Sequence, residues 1–219
     1  MEHVVTMNSL IKILRRIYLK IFNSVNINIQ ILNKKVYYPL LFKSQDIKYT
    51  NIPIIRGKLK IINLGECTFG NGLIFNSSFD SNPIGLHKKC TIYISKSGKL
   101  SIDDKSGFSG VSIYCSNSIS IGKNLFCGGN VSIWDTDFHS LNYALRRTHD
   151  EETVVSLPVN IGDDVFIGAN SLILKGVTIG CRSIIGAGSV VTKNIPEDQI
   201  WAGNPVKFIK SISHQHGIY

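Results

Sequence analysis

The chain has 219 residues, with 24 lysines and arginines against 15 aspartates and glutamates, for a net charge of +9. Residues 1–60 hold eleven of the basic residues against Glu2 and Asp46, whereas residues 61–219 hold thirteen of each sign, so the whole excess sits at one end. A nucleic-acid surface would interleave such charge with aromatics or carry a known motif; neither is present, and no nucleic-acid partner is expected.

Within the basic segment, Asn8 or Ser9 is suited to cap a helix running to about Phe22. Leu10, Leu14, Ile17 and Ile21 form one apolar stripe, and Lys12, Arg15, Arg16 and Lys20 gather on the other side, broken only by Leu19. The helix is too short to span a bilayer and carries its charges inside, which argues against a transmembrane segment or a secretory signal. Two readings stay open. The helix caps the end of the folded domain or a neighbouring subunit, or it is a basic amphipathic helix resting on an anionic membrane surface. Residues 1–57 thus read as a basic helix plus an irregular capping segment.

From about residue 58 a repeat emerges, weakly at first. Leu64, Gly65, Gly70 and Gly72 hint at degenerate coils, and SFDSNPIGLHKKC reads as a loop. Ile102 and Phe108 fall in a six-residue frame, which slips by one to Ile121, Cys127 and Ile133. A one-residue slip is an insertion at a corner.

From Val159 the repeat is regular. Ile161, Ile167, Ile173, Ile179, Ile185 and Val191 are spaced by six, and Val165, Ser171, Val177, Ser183, Ser189 and Ile195 follow four residues after each. Six residues advance a helix by about 600°, so a helix would scatter these positions over different faces. In a strand, positions i and i+4 point to one side. Gly162, Gly168, Gly180 and Gly186 follow four of the aliphatics, where they are expected to supply an unusual φ at corners between short strands. Short strands joined by regular corners make a β-solenoid, whose coils bury their aliphatic ladders only by stacking.

VNIGDDVFIGANSLILKGVTIGCRSIIGAGSVVTKNIP, the closing WAGNPVKFI and the segment IWDTDFHS resemble the hexapeptide-repeat acyltransferases, most of all the sugar O-acetyltransferases related to galactoside and maltose acetyltransferase. The resemblance covers roughly residues 90–212. It implies an all-β fold, a left-handed parallel β-helix over 58–212, with the short N-terminal helix, a loop extruded at about 134–158 and a tail at 213–219. It also implies acetyl-CoA as co-substrate, no required metal, and a homotrimer with sites between subunits.

The chemistry is expected where the rhythm breaks, in WDTDFHSLNYALRRTHDEETVVSLP. His139 lies near the start of this loop, where the family carries a histidine general base. A neutral imidazole would take the proton of a sugar hydroxyl as it attacks the thioester. Asp135 and Asp137 flank it and are candidates to orient the imidazole or bind an acceptor hydroxyl. Ser109 on an earlier coil and Arg146, with Arg147, are weaker candidates toward the acceptor, the arginines suiting a phosphate or acidic sugar. His149 stands in an acidic run. The family's coenzyme contacts match Ala169, Ala187, Thr192 and Lys193. Lys207 and Lys210 could also meet its phosphates, and Trp201 is expected to cover the solenoid end more than to stack on adenine.

Serine or amino-sugar N-acetylation on the same fold is the nearest alternative, and a non-catalytic binding solenoid a further one. A metal-dependent lyase such as the γ-class carbonic anhydrases would need three histidines around a metal; only His139 has a suitable context, and the His214-Gln215-His216 tail offers no third ligand. Cys67, Cys90, Cys115, Cys127 and Cys181 show no CxxC spacing, which fits free thiols in a reducing compartment and hence the cytoplasm.

Overall fold

The computed structural model describes residues 7–148 and 153–213. Its core is a triangular prism of parallel strands. The chain visits face A, face B and face C in turn, and each face is built by strands from successive coils. Face A runs from Ile47–Tyr49 to Thr178–Ile179, face C from Lys60–Asn63 to Val190–Val191, and face B from Ile54–Gly57 to Lys207–Ser211. Within the three faces every strand pairing is parallel except the last, where Lys207–Ser211 folds back antiparallel on Gln199–Ala202.

The six-residue frame translates directly into register. Ile161 pairs with Ile179 and Ile167 with Ile185, eighteen residues apart in each case, so three hexads close one coil. Earlier coils are longer: Ile102 pairs with Ile121, nineteen residues on, and Ile92 with Ile113, twenty-one on. The phase slip is this extra length, and it includes a bulge between Cys127 and Gly129. Both predicted ladders point inward, and all twelve residues from Ile161 to Ile195 that compose them are buried. The buried serines are satisfied: Ser183 Oγ donates to Pro196 O at 2.6 Å and Ser189 Oγ to Gly186 O at 2.6 Å.

The repeated glycines do a different job from the one expected. Gly162, Gly168, Gly180 and Gly186 are not among the positive-φ residues. Their constraint is contact with the next coil, because a Cβ on Gly168 would strike the backbone of Ala187 and one on Gly180 the backbone of Glu197. The left-handed corner residues come two positions later, at Asp164, Asn170, Gly176, Arg182 and Gly188, again six apart. One hexad position is glycine for closeness and another turns the corner.

At the N-terminal end the helix is longer than predicted. It spans Met7–Leu32 (α1), so Asn8 and Ser9 lie inside it, and nothing in the sequence beyond Phe22 stops it before Pro39. A π-helical turn, Asn33–Tyr37, leads into Tyr38–Ser44 (α2). It is α2 that caps the prism, burying Tyr38 and Phe42 against the first coils, with Phe42 edge-on to Phe69 at 5.8 Å. The first coil begins at Ile47, eleven residues before the predicted start at 58. At the other end Trp201 packs on the core and edge-on to Phe208 at 5.9 Å. Cys67, Cys90, Cys115 and Cys127 are buried free thiols, and Cys181 is half-buried. Among the described residues no helix is long and apolar enough to cross a membrane.

Candidate active site

The largest departure from the prism leaves face C after Ser132–Trp134 and rejoins face A at Val159–Ile161, so it projects from the edge between C and A. Its base is a short antiparallel pairing. Leu157 N donates to Asp135 O at 2.9 Å, Asp137 N to Val155 O at 3.1 Å, and Ser156 Oγ to Thr136 Oγ1 at 2.9 Å.

This base is fixed to the coils on both sides. Toward the N-terminus, the fully buried Asp135 carboxylate accepts from Ser116 N at 2.6 Å and Asn117 N at 2.7 Å. Toward the C-terminus, Lys175 Nζ pairs with Asp137 at 2.8 Å, both side chains about three-quarters shielded, and Gly176 N donates to Leu157 O. At the excursion's outer part a short helix, Tyr143–Arg147 (α3), is capped by Asn142, whose side chain accepts from Ala144 N.

His139 stands where the fixed base gives way to the outer loop, and its imidazole is exposed. The residue before it, Phe138, has φ of 64°, an uncommon conformation for a bulky aromatic. Packing holds it there: its ring meets Tyr114 edge-on at 4.7 Å and Trp134 at 5.4 Å, and Tyr114 stacks on Tyr93 at 4.8 Å. Tyr114, Ser116, Thr136, Phe138, Val154 and Ser156 line a pocket of about 180 Å³ against this wall. That is below the roughly 300–1,000 Å³ typical of small-molecule sites, so within one chain the site is shallow.

The other predicted residues are distributed unevenly. Asp135 and Asp137 are spent on the excursion's base, not on the imidazole. Arg146 Nη1 donates to Ser140 O at 2.9 Å, holding the outer loop together, and Arg147 lies over the Tyr143 ring at 5.3 Å. Thr192 and Lys193 are exposed on the C/A edge, as His139 is, two coils beyond the excursion. Ala169 and Ala187 lie on the B/C edge instead, each stacked over a glycine of the coil before it, Gly128 and Gly168. Ser109 is on that B/C edge too, and its hydroxyl accepts from Asn76 and from Asn82 of the smaller excursion there, both at 3.0 Å. One chain therefore does not bring Ala169, Ala187 or Ser109 to His139. His149, with Asp150, Glu151 and Glu152, and His214 to His216 lie outside the described residues. Among the described residues, no three His, Cys, Asp or Glu side chains gather as a metal site.

Sequence reasoning missed Phe138, the Tyr93–Tyr114–Trp134 wall and Lys175. The wall carries a signal, since Tyr93, Tyr114 and Trp134 are 21 and 20 residues apart and pair in register; reading it requires the coil length first.

Residues 158–193 match the hexapeptide repeat of succinyl-transferase. Galactoside O-acetyltransferase of Escherichia coli is 38% identical over 102 residues, 47% of this chain and 48% of that enzyme. The chain spans about half the length of the curated relatives it matches. A hexapeptide-repeat acetyltransferase of Vibrio cholerae O1 biovar eltor, complexed with acetyl coenzyme A, superposes with a TM-score of 0.50 at 20% identity, covering 90% of both chains. An N-acyltransferase of Bacillus cereus, in complex with dTDP and 3-hydroxybutyryl-CoA, gives a TM-score of 0.61 at 21% identity over 81% of this chain and 89% of that one.

Proposed function

We propose that this chain, a hexapeptide-repeat protein built on the left-handed parallel β-helix of the hexapeptide-repeat acetyltransferases, is an acetyl-CoA-dependent O-acetyltransferase acting on a sugar or glycan hydroxyl. One observation carries this reading. The excursion that interrupts the solenoid presents His139 to solvent from a base fixed to the coils on both sides, and sets it beside an aromatic wall.

In this reading the neutral imidazole of His139 accepts the hydroxyl proton as the oxygen attacks the thioester carbonyl carbon. The resulting tetrahedral intermediate collapses, the C–S bond breaks, and the departing thiolate takes the proton back from the imidazolium. The imidazole is thus regenerated within one turnover and no covalent acyl-enzyme forms. The Tyr114 and Phe138 rings supply apolar surface suited to a sugar's C–H face, and their packing holds the residue just before His139. The coenzyme arm is read against Ala169, Ala187, Thr192 and Lys193, where small side chains allow close backbone approach and Lys193 offers a charge to phosphate.

Those four residues occupy two edges of the prism, which supports a site assembled between copies. The outer surface of face B supports the same reading. Ile54, Phe126 and Phe166 point outward there at 47%, 71% and 45% exposure, and Phe126 and Phe166 are paired on adjacent strands. We read the assembly as a homotrimer and, from the buried thiols, place it in the reducing cytoplasm.

His139→Ala tests the mechanism. Acetyl-CoA-dependent thiol release should fall by roughly 10²–10⁴, the range for loss of a general base, with acetyl-CoA affinity nearly unchanged. Unaltered turnover would remove His139 from this role. A panel of hydroxyl and amine acceptors separates O- from N-acetylation.

A further inference from the structure

Between Glu2 and Asp46 the chain holds seven lysines and arginines and no acidic residue. Most of this stretch is α1 and the turn after it. Among the described residues α1 packs mainly on that turn, and only Ile29, Gln30 and Ile31 at its end come beside the prism, where they share clefts with residues 53–58; the prism's end is covered by α2. Its described side chains from Lys12 to Lys20 are all exposed, including Ile13 at 46%, Leu14 at 56% and Ile17 at 49%, and toward its end Ile29 and Leu32 reach 50% and 60%.

At about 100° per residue, these aliphatics fall on one arc of about 160°, and Lys12, Arg15, Arg16 and Lys20 on the opposite arc of about 140°, broken by the exposed Leu19. Arg15 and Lys20 stand at the borders between the two. From there their aliphatic stems can follow an apolar surface while the charged heads reach back to its rim.

We propose that α1 docks the protein flat on an anionic lipid bilayer, apolar arc down, with the border and flanking cations on lipid phosphates. Charge decides among the occupants. An identical helix from another copy would bring the same uncompensated positive charge, whereas an anionic bilayer offers an apolar interior bordered by negative charge along the helix's length of about 40 Å. Lys34 and Lys35 in the following turn extend the cationic surface toward α2.

The test is co-flotation of the full-length protein with phosphatidylcholine vesicles, with and without about 30 mol % phosphatidylglycerol, at about 0.1 and about 0.5 M salt. At the lower salt, partition onto the anionic vesicles should exceed that onto pure phosphatidylcholine by at least roughly tenfold, and the higher salt should reverse it. The double variant R15Q/R16Q and the single variant I17E should each abolish the preference. Because Arg15, Arg16 and Ile17 are all exposed, both should keep the parent's melting temperature. Binding that ignores lipid charge, no binding, or variants that partition like the parent would overturn the proposal. So would an I17E variant that dissociates the oligomer in the absence of lipid while still floating normally, since the apolar arc would then belong to an interface between copies.

Discussion

Asp135→Asn separates two roles for the most deeply buried acidic group at the site. The carboxylate is fully buried and accepts from Ser116 N at 2.6 Å and Asn117 N at 2.7 Å. Asparagine keeps the shape but turns one oxygen into an NH2 group, which faces a backbone N–H instead of accepting from it. One charge-assisted bond is lost, the other becomes a neutral one, and a part-buried backbone N–H is left without its acceptor. With charged hydrogen bonds contributing about 1.5–3 kcal/mol and an orphaned donor costing about 1–3 kcal/mol, the expected loss is about 3 kcal/mol. In a chain of this size that lowers the melting temperature by roughly 6–12 °C. Circular dichroism melts give the midpoint, and thiol-release rates taken well below both midpoints give turnover. The structure predicts a clear loss of stability with turnover within about threefold of the parent. An unchanged midpoint, with turnover falling as far as in His139→Ala and a displaced pH profile, would refute the reasoning and make Asp135 a partner of the imidazole.

The two kinds of glycine should respond differently to alanine. Gly168→Ala drives a Cβ into the backbone of Ala187 and should cost about 2–3 kcal/mol. Gly188→Ala meets open space at φ of 69° and should cost only the left-handed penalty of about 1–2 kcal/mol, so denaturant midpoints that rank them the other way would contradict the assignment. Burial pushes the Cys67 and Cys115 thiols up from 9.0 to about 12 and raises Cys90 and Cys127 as well. Between those values the unfolded chain has lost these protons and the folded chain retains them, so the unfolded state binds fewer protons and stability should fall as pH rises from about 9 toward 12. A thiol reagent at about pH 8 should modify Cys181 rapidly and the other four only on unfolding; fast reaction of three or more in the native protein would contradict this.

The C-terminal half of the prism was legible because each hexad repeats the same burial. Ile161 and Val165 fix their side, and every later coil copies them. The glycine after each aliphatic was legible as a repeat but not as a mechanism, since composition does not distinguish a glycine needed for φ from one needed for contact. The corner position carries Asp164, Asn170, Gly176, Arg182 and Gly188, too mixed a set to stand out until the backbone is known. The early coils were faint because their length varies from nineteen to thirty-three residues, which breaks any fixed period, and the first coil at Ile47 falls inside what reads as an irregular cap. α1 outran its expected end because a helix stops at a glycine or proline signal, and none follows Phe22 before Pro39. At the site, His139 stood out by its place at a break in the rhythm. The tasks of Asp135 and Asp137 did not, because their partners Ser116, Asn117 and Lys175 belong to other coils and only the register brings them together.

Calorimetric titration of the full-length protein with acetyl-CoA, against ATP and a nucleotide sugar as controls, asks whether the chain binds the coenzyme that the proposed reaction requires. Saturable acetyl-CoA binding, with no comparable heat from ATP and with the same affinity in His139→Ala, is the predicted result. No acetyl-CoA binding at about millimolar concentration, near the weak end of enzyme–substrate affinities, would contradict it.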